Sequence, residues 1–386
     1  MKSTIKVILA LLFVVSFVAV AQRHGQEEHG VRSKSFTVEK GGRLDVNVRS
    51  GDITITPWSK NEVFVNADGI DPDDLERLIM TQSGNTVRVE FRPRSRSWNW
   101  DGGAHFTINV PSEFNVNMKT SGGNLEVTGA LNGRIEGSTS GGEIILADVT
   151  GTVDLGTSGG DIKVGNIKGN VKLRTSGGNI ELRRVDGETS VSTSGGNIRV
   201  ESVGKRLDAS TSGGDIDVGD VGGEARLSTS GGDVKVGKVS GDARLSTAGG
   251  DIELRGASGT VIAKTAGGDI RLENITGSIE AKTAGGDIRA ELIPSGKGSS
   301  ELKTAGGDIR LSIPENARAM IEAVIRVEGR WSRRKNYEVR SDFKHDKYET
   351  NEDDEEIRAI YTLNGGGEKI YLETVNSNIE IRKLRK

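Results

Sequence analysis

The sequence predicts an all-β protein: a single-chain β-solenoid (β-helix or roll) of about eleven 18-residue, two-strand coils with β-rich N- and C-terminal caps. Three observations predict it. The phrase Thr-Ser/Ala-Gly-Gly occurs eleven times, at Thr120, Thr139, Thr157, Thr175, Thr193, Thr211, Thr229, Thr247, Thr265, Thr283 and Thr304, and eight of the ten steps are 18 residues. A branched apolar residue holds one place in successive coils, as at Ile144, Ile162, Ile180, Ile198, Ile216, Val234, Ile252, Ile270, Ile288 and Ile309. Around it apolar and polar residues alternate with a period of two, the mark of a half-buried strand. One coil buries too little apolar surface to fold alone, so stacking must supply the core.

Residues 1–21 read as a secretory signal peptide. Lys2 and Lys6 precede an apolar stretch over residues 7–21, and Ala19-Val20-Ala21 is a cleavage pattern before Gln22. The stretch is short for a membrane span, so the expected mature chain is exported and has no transmembrane segment. Residues 22–33 are polar and read as a flexible linker. Residues 34–118 read as an N-terminal β cap with a short helix. Asp71 is the helix cap, Pro72 takes the first position, and Asp73 and Asp74 acidify the first turn. Gly51-Asp52-Ile53-Thr54-Ile55 is a degenerate copy of the repeat, placed to cover the first coil, because an open solenoid end exposes unpaired strand edges.

Residues 119–313 are the repeats. In residues 157–174, Ile162 and Val164 alternate with Asp161 and Lys163, and Val171 and Leu173 alternate with Lys172 and Arg174. Gly159-Gly160 makes one bend; Gly165 and Gly169 flank another that drops Ile167 inward. Glycine is expected at these bends for backbone angles that side chains resist. Second strands pair a large residue with a small one, as in Leu207 with Ala209 and Ala225 with Leu227, which keeps a narrow interior evenly filled. One outward place reads Lys163, Glu181, Arg199, Asp217, Lys235, Glu253, Arg271. The sign alternates from coil to coil, so a slip by one coil would set like charges together. The alternation breaks at Arg289 and Arg310.

Residues 314–386 read as a C-terminal β cap, with strands over 319–327 and 357–362. Between them, residues 330–356 form a highly charged insertion, expected as a loop or long hairpin. Residues 364–383 return to a repeat-like phrase.

Composition narrows the function classes. A formal net charge of -3 gives no reason to expect nucleic acid as a partner, and with no cysteine there is neither a disulfide framework nor a thiolate metal site. No catalytic residue is assigned. The motif serines, Ser121 through Ser230, give way to Ala248, Ala266, Ala284 and Ala305, so the position asks for a small residue rather than a hydroxyl nucleophile. All four histidines, His24, His29, His105 and His345, lie outside the repeats. No cofactor is expected. The one metal candidate is a ladder of aspartates, Asp215, Asp233, Asp251, Asp269, Asp287 and Asp308, which a Ca²⁺ roll would use. The competing reading is turn chemistry, in which Asp and Asn bond their own backbone, and Asn124, Asn179 and Asn197 at the same place favour it.

Binding candidates are the clusters of arginine and tryptophan at the two ends: Arg94 and Arg96 with Trp98 and Trp100, and Trp331 with Arg333 and Arg334. Trp98 and Trp100 can equally point inward and cap the core, and Trp58 reads as a core residue. No aromatic residue occurs between Asn115 and Arg330, so the rod has no stacking platform.

Three groups of residues carry a family resemblance: the TSGGDIxV coils, Gly51 to Ile55 followed by Trp58 and Asn61-Glu62-Val63, and the closing Asn364-Gly365-Gly366-Gly367. Over roughly residues 35–386 the chain resembles the bacterial "putative adhesin" family of secreted β-solenoid proteins, whose function is unknown. The resemblance implies the fold and carries no catalytic residues; the secretion signal, the uniform coils and the missing active site predict a non-enzymatic, adhesin-like binding or scaffold protein of the cell envelope with a glycan, protein or other envelope component as partner. A periplasmic envelope-stress accessory protein that holds a protein partner through residues 330–356 is the alternative, and a calcium-binding β-roll the third reading.

Overall fold

The computed structural model describes residues 30–94, 103–296, 298–329, 336–351 and 355–384. Successive coils stack as parallel strands in two long sheets, with partners one repeat apart. In the first sheet Ile144 lies opposite Ile162, Ile162 opposite Ile180, and Ile180 opposite Ile198. In the second, Val153 lies opposite Val171, Val171 opposite Thr189, and Thr189 opposite Leu207. The interior places are buried throughout, so the core is one continuous column. Leu207 lies opposite Ala225 and Ala209 opposite Leu227, so size alternates between these two coils, whereas the next coil repeats it, with Ala225 opposite Ala243 and Leu227 opposite Leu245.

Early coils carry a third, two-residue strand, Leu131–Asn132, Val149–Thr150 and Ile167–Lys168. From Ile180–Val185 onward it fuses with the first strand into one bent segment. Ile167 is buried, as its bend requires.

The corner phrase holds coil to coil. The hydroxyl of Thr193 donates to the Gly178 carbonyl of the preceding coil at 2.9 Å and accepts from its own Gly196 N–H at 3.3 Å. Thr157, Thr175, Thr211, Thr229, Thr247, Thr265 and Thr283 repeat both bonds. The second glycine is fixed by close approach and not by an unusual backbone angle. A Cβ on Gly196 would lie 2.0 Å from the Gly178 carbonyl oxygen, whereas one on Gly195 would meet nothing nearer than 3.5 Å. The corner glycines have no positive φ, which corrects the expectation from bend angles.

Antiparallel strands end the stack on the N-terminal side. Glu62–Ile70 pairs with both Gly30–Thr37 and His105–Pro111, and His105–Pro111 stacks on Asp52–Trp58. In the second sheet Leu78–Ser83 pairs with Thr86–Phe91, which stacks on Arg43–Val48. Pairing with Glu62–Ile70 begins at Gly30, inside the polar stretch read as a linker. Side chains also tie the two edges together. Lys34 Nζ donates to the Met80 carbonyl at 2.9 Å, and Gln82 Nε2 to that of Thr37 at 2.7 Å. Buried Phe91 and Phe106 fill the end, with ring centroids 5.8 Å apart. Trp58 is half-buried and not core: its Nε1–H donates to the Glu62 carbonyl at 2.7 Å, under Lys60 Nζ at 4.6 Å. The expected short helix is a 3-10 turn, Pro72–Arg77, with Asp71 Oδ1 accepting the Asp73 N–H at 2.9 Å.

At the other end the chain leaves and returns. Above Ile309–Ile313 the stack continues with Ile379–Lys383, and above Ser300–Thr304 with Glu368–Val375. Ala319–Arg326 pairs with both Glu368–Val375 and Glu356–Leu363. In this added coil, Thr374 Oγ1 donates to the Gly307 carbonyl at 2.7 Å and the Asn378 N–H to Asp308 Oδ1 at 2.8 Å. Thr374-Val375-Asn376-Ser377-Asn378 therefore does the work of Thr-Ala-Gly-Gly-Asp. The closing Asn364-Gly365-Gly366-Gly367 is instead a tight turn, with φ of 50° at Asn364, 82° at Gly365 and 80° at Gly366. The charged insertion contributes two strands to this end. Val339–Ser341 lies beside Ile379–Lys383, and Lys347–Asn351 pairs antiparallel with Glu356–Leu363.

Candidate functional site

The aspartate ladder runs along one corner. Asp233 Oδ1 accepts the Asp251 N–H at 2.9 Å, Asp251 Oδ1 that of Asp269 at 2.7 Å, and Asp269 Oδ1 that of Asp287 at 2.8 Å. Asp215 and Asp287 bond Asp233 and Asp308 in the same way. The acceptor works between coils rather than on its own turn, which corrects the local reading. It also explains why Asn179 and Asn197 serve equally: the bond needs one side-chain oxygen and no charge. Lys235 Nζ lies 3.3 Å from Asp233 Oδ2, and Arg289 reaches Asp287 Oδ2 at 2.9 Å and Asp269 Oδ2 at 3.8 Å. Among the described residues no group of three or more histidine or carboxylate side chains is placed to hold a metal ion.

Of the arginine–tryptophan candidates, the structure places only Arg94. Its N–H donates to Asp74 Oδ1 at 3.0 Å, and its guanidinium lies 3.5 Å from Glu76. Asp74 is buried and also meets Arg77 at 3.4 Å. Arg96, Trp98, Trp100, Trp331, Arg333 and Arg334 lie outside the described residues.

The two outer faces differ in charge. On the first sheet the alternating residues do lie directly opposite one another, Lys163 by Glu181, Glu181 by Arg199, and Arg199 by Asp217 at 3.6 Å. The later like charges also stack, Arg271 by Arg289 by Arg310. Glu380 of the returning strand ends that run and pairs with Arg310.

Sequence reasoning missed a column on the second sheet, formed by the outward residue just before each corner threonine. It reads Lys119, Ser138, Gly156, Arg174, then Ser192, Ser210, Ser228, Ser246, then Lys264, Lys282, Lys303. It holds no acid until Glu373, which follows Lys303 in the stack. Reading every eighteenth residue from Arg174 would have shown it. Lys282 bonds Glu301 at 2.7 Å and Glu280 at 3.1 Å, and Lys303 bonds Glu301 at 2.7 Å. Hydrogen bonds from Lys264 and Lys282 hold the Glu280 carboxyl below its ordinary range, and those from Lys282 and Lys303 do the same for Glu301. Arg174 makes no ion pair among the described residues. A groove of about 350 Å³ runs over the four serines.

This geometry defines a class: a capped parallel β-solenoid whose surface is two long, regular faces. The chain belongs to the Toastrack DUF4097 family, whose model matches residues 42–219 and again residues 204–382. Among solved structures the chain is similar to a "putative adhesin" from Bacteroides fragilis NCTC 9343, at 13% identity and a TM-score of 0.23, covering 92% of this chain and 97% of that one. It is similar to another from Parabacteroides distasonis ATCC 8503, at 17% identity and a TM-score of 0.34, covering 64% and 95%. A "putative lipid binding protein" from the same Parabacteroides strain matches at 11% identity and a TM-score of 0.23, covering 92% and 97%. No curated protein matches. The described residues include no helix long and apolar enough to cross a membrane.

Proposed function

We propose that the chain is an exported, non-enzymatic, adhesin-like binding or scaffold protein of the cell envelope. The observation that carries this reading is repetition: equivalent outward residues recur from coil to coil along two long faces, which suits an extended partner better than a small substrate in a cleft. The signal-peptide pattern of residues 1–21 and the names of the similar structures support it. The test is fractionation of the source cells, followed by a glycan and matrix-protein array probed with folded protein. Recovery in the cytoplasm, or an array without a hit, would remove the reading.

The alternative, in which residues 330–356 act as a free arm for a protein partner, is weakened by Val339–Ser341 and Lys347–Asn351, which are built into the cap. Deleting residues 332–354 should therefore destabilise that end rather than leave a clean binding knockout.

A further inference from the structure

We propose that the C-terminal end of the rod pairs with the same end of a second copy of this chain, strand Lys347–Asn351 against its own copy, so that two rods join tail to tail. The proposal goes beyond the binding-rod reading and does not depend on it.

The two ends of the stack treat their outermost strands differently. At the N-terminal end, side chains tie the edge strands Gly30–Thr37 and Leu78–Ser83 to the chain beside them. Arg32 Nη1 donates to the Leu75 carbonyl at 3.2 Å, Lys34 Nζ to that of Met80 at 2.9 Å, and Gln82 Nε2 to that of Thr37 at 2.7 Å. Charged side chains laid across an edge in this way resist further strand pairing. At the C-terminal end, Lys347–Asn351 pairs with Glu356–Leu363 on one side, and no other described strand pairs with it. No side chain among the described residues donates to its backbone. An antiparallel strand spends only half of its backbone groups on one neighbour, so the other half faces outward, able to extend the sheet.

The strand also overhangs the core. Tyr348 and Thr350 lie opposite buried Ala359 and Ile357, and so face the core side, yet both are exposed, Tyr348 at 39%. The Tyr348 ring stands 5.7 Å from that of His345, which stands 6.5 Å from that of buried Tyr361. A row of rings thus leads from the core to an open edge, where a second aromatic surface would complete it.

The charges select the partner and the register. On the outer face Lys347 and Glu349 bracket Tyr348, 2.6 Å apart, and Glu349 lies opposite Arg358. Residues directly opposite in an antiparallel pair share a face. A two-fold axis through Tyr348, normal to the sheet, therefore keeps both core faces on one side and sets Tyr348 against its copy. The same axis sets Lys347 of each chain against Glu349 of the other. Arg358, Glu349 and the second copy's Lys347 then alternate in sign across three strands, as the first sheet does from Lys163 to Arg271. An axis through Lys347 or Glu349 would instead set that residue against its own copy, like charge on like. The pair within one strand does not compete, because an ammonium and a carboxylate each take more than one partner.

Sedimentation equilibrium and small-angle scattering of the purified chain test this. The expected result is a dimer whose largest dimension is close to twice that of the monomer. A monomer at all concentrations up to about 100 μM, or a dimer no longer than the monomer, overturns the proposal. Lys347→Glu alone and Glu349→Lys alone each set like charges opposite and should weaken the dimer at least about tenfold. Mixed in equal amounts, the two variants should pair with each other at near wild-type strength, a recovery that no change inside one chain produces. A dimer that persists undiminished in both variants, or no recovery on mixing, overturns the assignment. If a variant does not fold, Tyr348→Cys decides. The chain has no cysteine, and Cβ atoms directly opposite lie about 4.5–5.5 Å apart, close to what a disulfide spans. Mild oxidation should then link two chains through position 348, while Ser33→Cys on the N-terminal edge stays monomeric. No cross-link at 348, or equal cross-linking at both positions, overturns the tail-to-tail pairing.

Discussion

The corner of the rod and the outer column of its second sheet are neighbours in every coil, yet they obey opposite rules. At the corner, Thr193 and Gly196 meet the preceding coil through a 2.9 Å hydrogen bond and a backbone contact with no room for a Cβ. One residue earlier, the Ser192 side chain makes no hydrogen bond among the described residues, and its column runs from arginine through serine to lysine along the rod. The most strictly repeated residues are therefore those consumed in holding coils together. Freedom to vary begins where the repeat loosens.

The largest test of that contrast is a pair of substitutions in one corner. Gly196→Ala forces a Cβ into the Gly178 carbonyl and should cost about 3 kcal/mol or more, whereas Gly195→Ala should cost under about 1 kcal/mol. Denaturant melts of both variants check it, and equal losses would mean that the close approach is not what selects glycine. Next, Thr211→Val removes a hydroxyl that donates to Gly196 at 2.9 Å and accepts from Gly214 at 3.4 Å. A loss of about 2 kcal/mol is expected, because a buried carbonyl is left unpaired. Thr189 sharpens the point from the other side. Its buried hydroxyl has no hydrogen-bond partner among the described residues, so Thr189→Val should raise stability by about 1 kcal/mol.

A smaller effect belongs to the lysine end of the outer column. The folded carboxyls of Glu280 and Glu301 titrate below their unfolded counterparts because Lys264, Lys282 and Lys303 bond them. Their stabilisation is fully present above the ordinary glutamate pKa of about 4.3 and is lost as pH falls through the depressed folded values. Screening keeps each partly exposed pair under about 1 kcal/mol. Glu280→Gln combined with Glu301→Gln should flatten the acid limb of a stability–pH profile slightly, and an unchanged limb would deny the linkage. Smallest of all is calcium. Since the ladder aspartates spend one oxygen on the next coil's N–H, excess Ca²⁺ against chelator should move the melting temperature by less than about one degree. A larger rise, lost on changing Asp233, Asp251 and Asp269 to Asn, would revive the calcium roll.

Much of the rod is legible in the chain because its contacts are periodic. Ile162 meets Ile180 since both sit at one place in an 18-residue repeat, and the sign alternation from Lys163 to Arg271 is preserved across the strands. What the repeat could not reveal is anything with a different sequence separation. Glu380 lies 70 residues after Arg310 yet ends the arginine run, and Thr374 and Asn378 mimic the corner without its Gly-Gly. The phrase Asn364-Gly365-Gly366-Gly367 looks like a corner in one dimension but makes a turn with positive φ in three. The serine column of the second sheet was visible only in part, since it emerges when outward residues are aligned coil by coil.

By itself, then, the sequence determined the solenoid, its period, its interior and its register, because local alternation and a fixed repeat dictate which residues face inward and which stack. Tertiary structure alone decided why the second corner glycine is glycine, where each aspartate spends its oxygen, and how the two ends close. Each of these depends on distances between coils, and an inter-coil contact such as the 2.0 Å approach at Gly196 exists only once the neighbouring coil is in place.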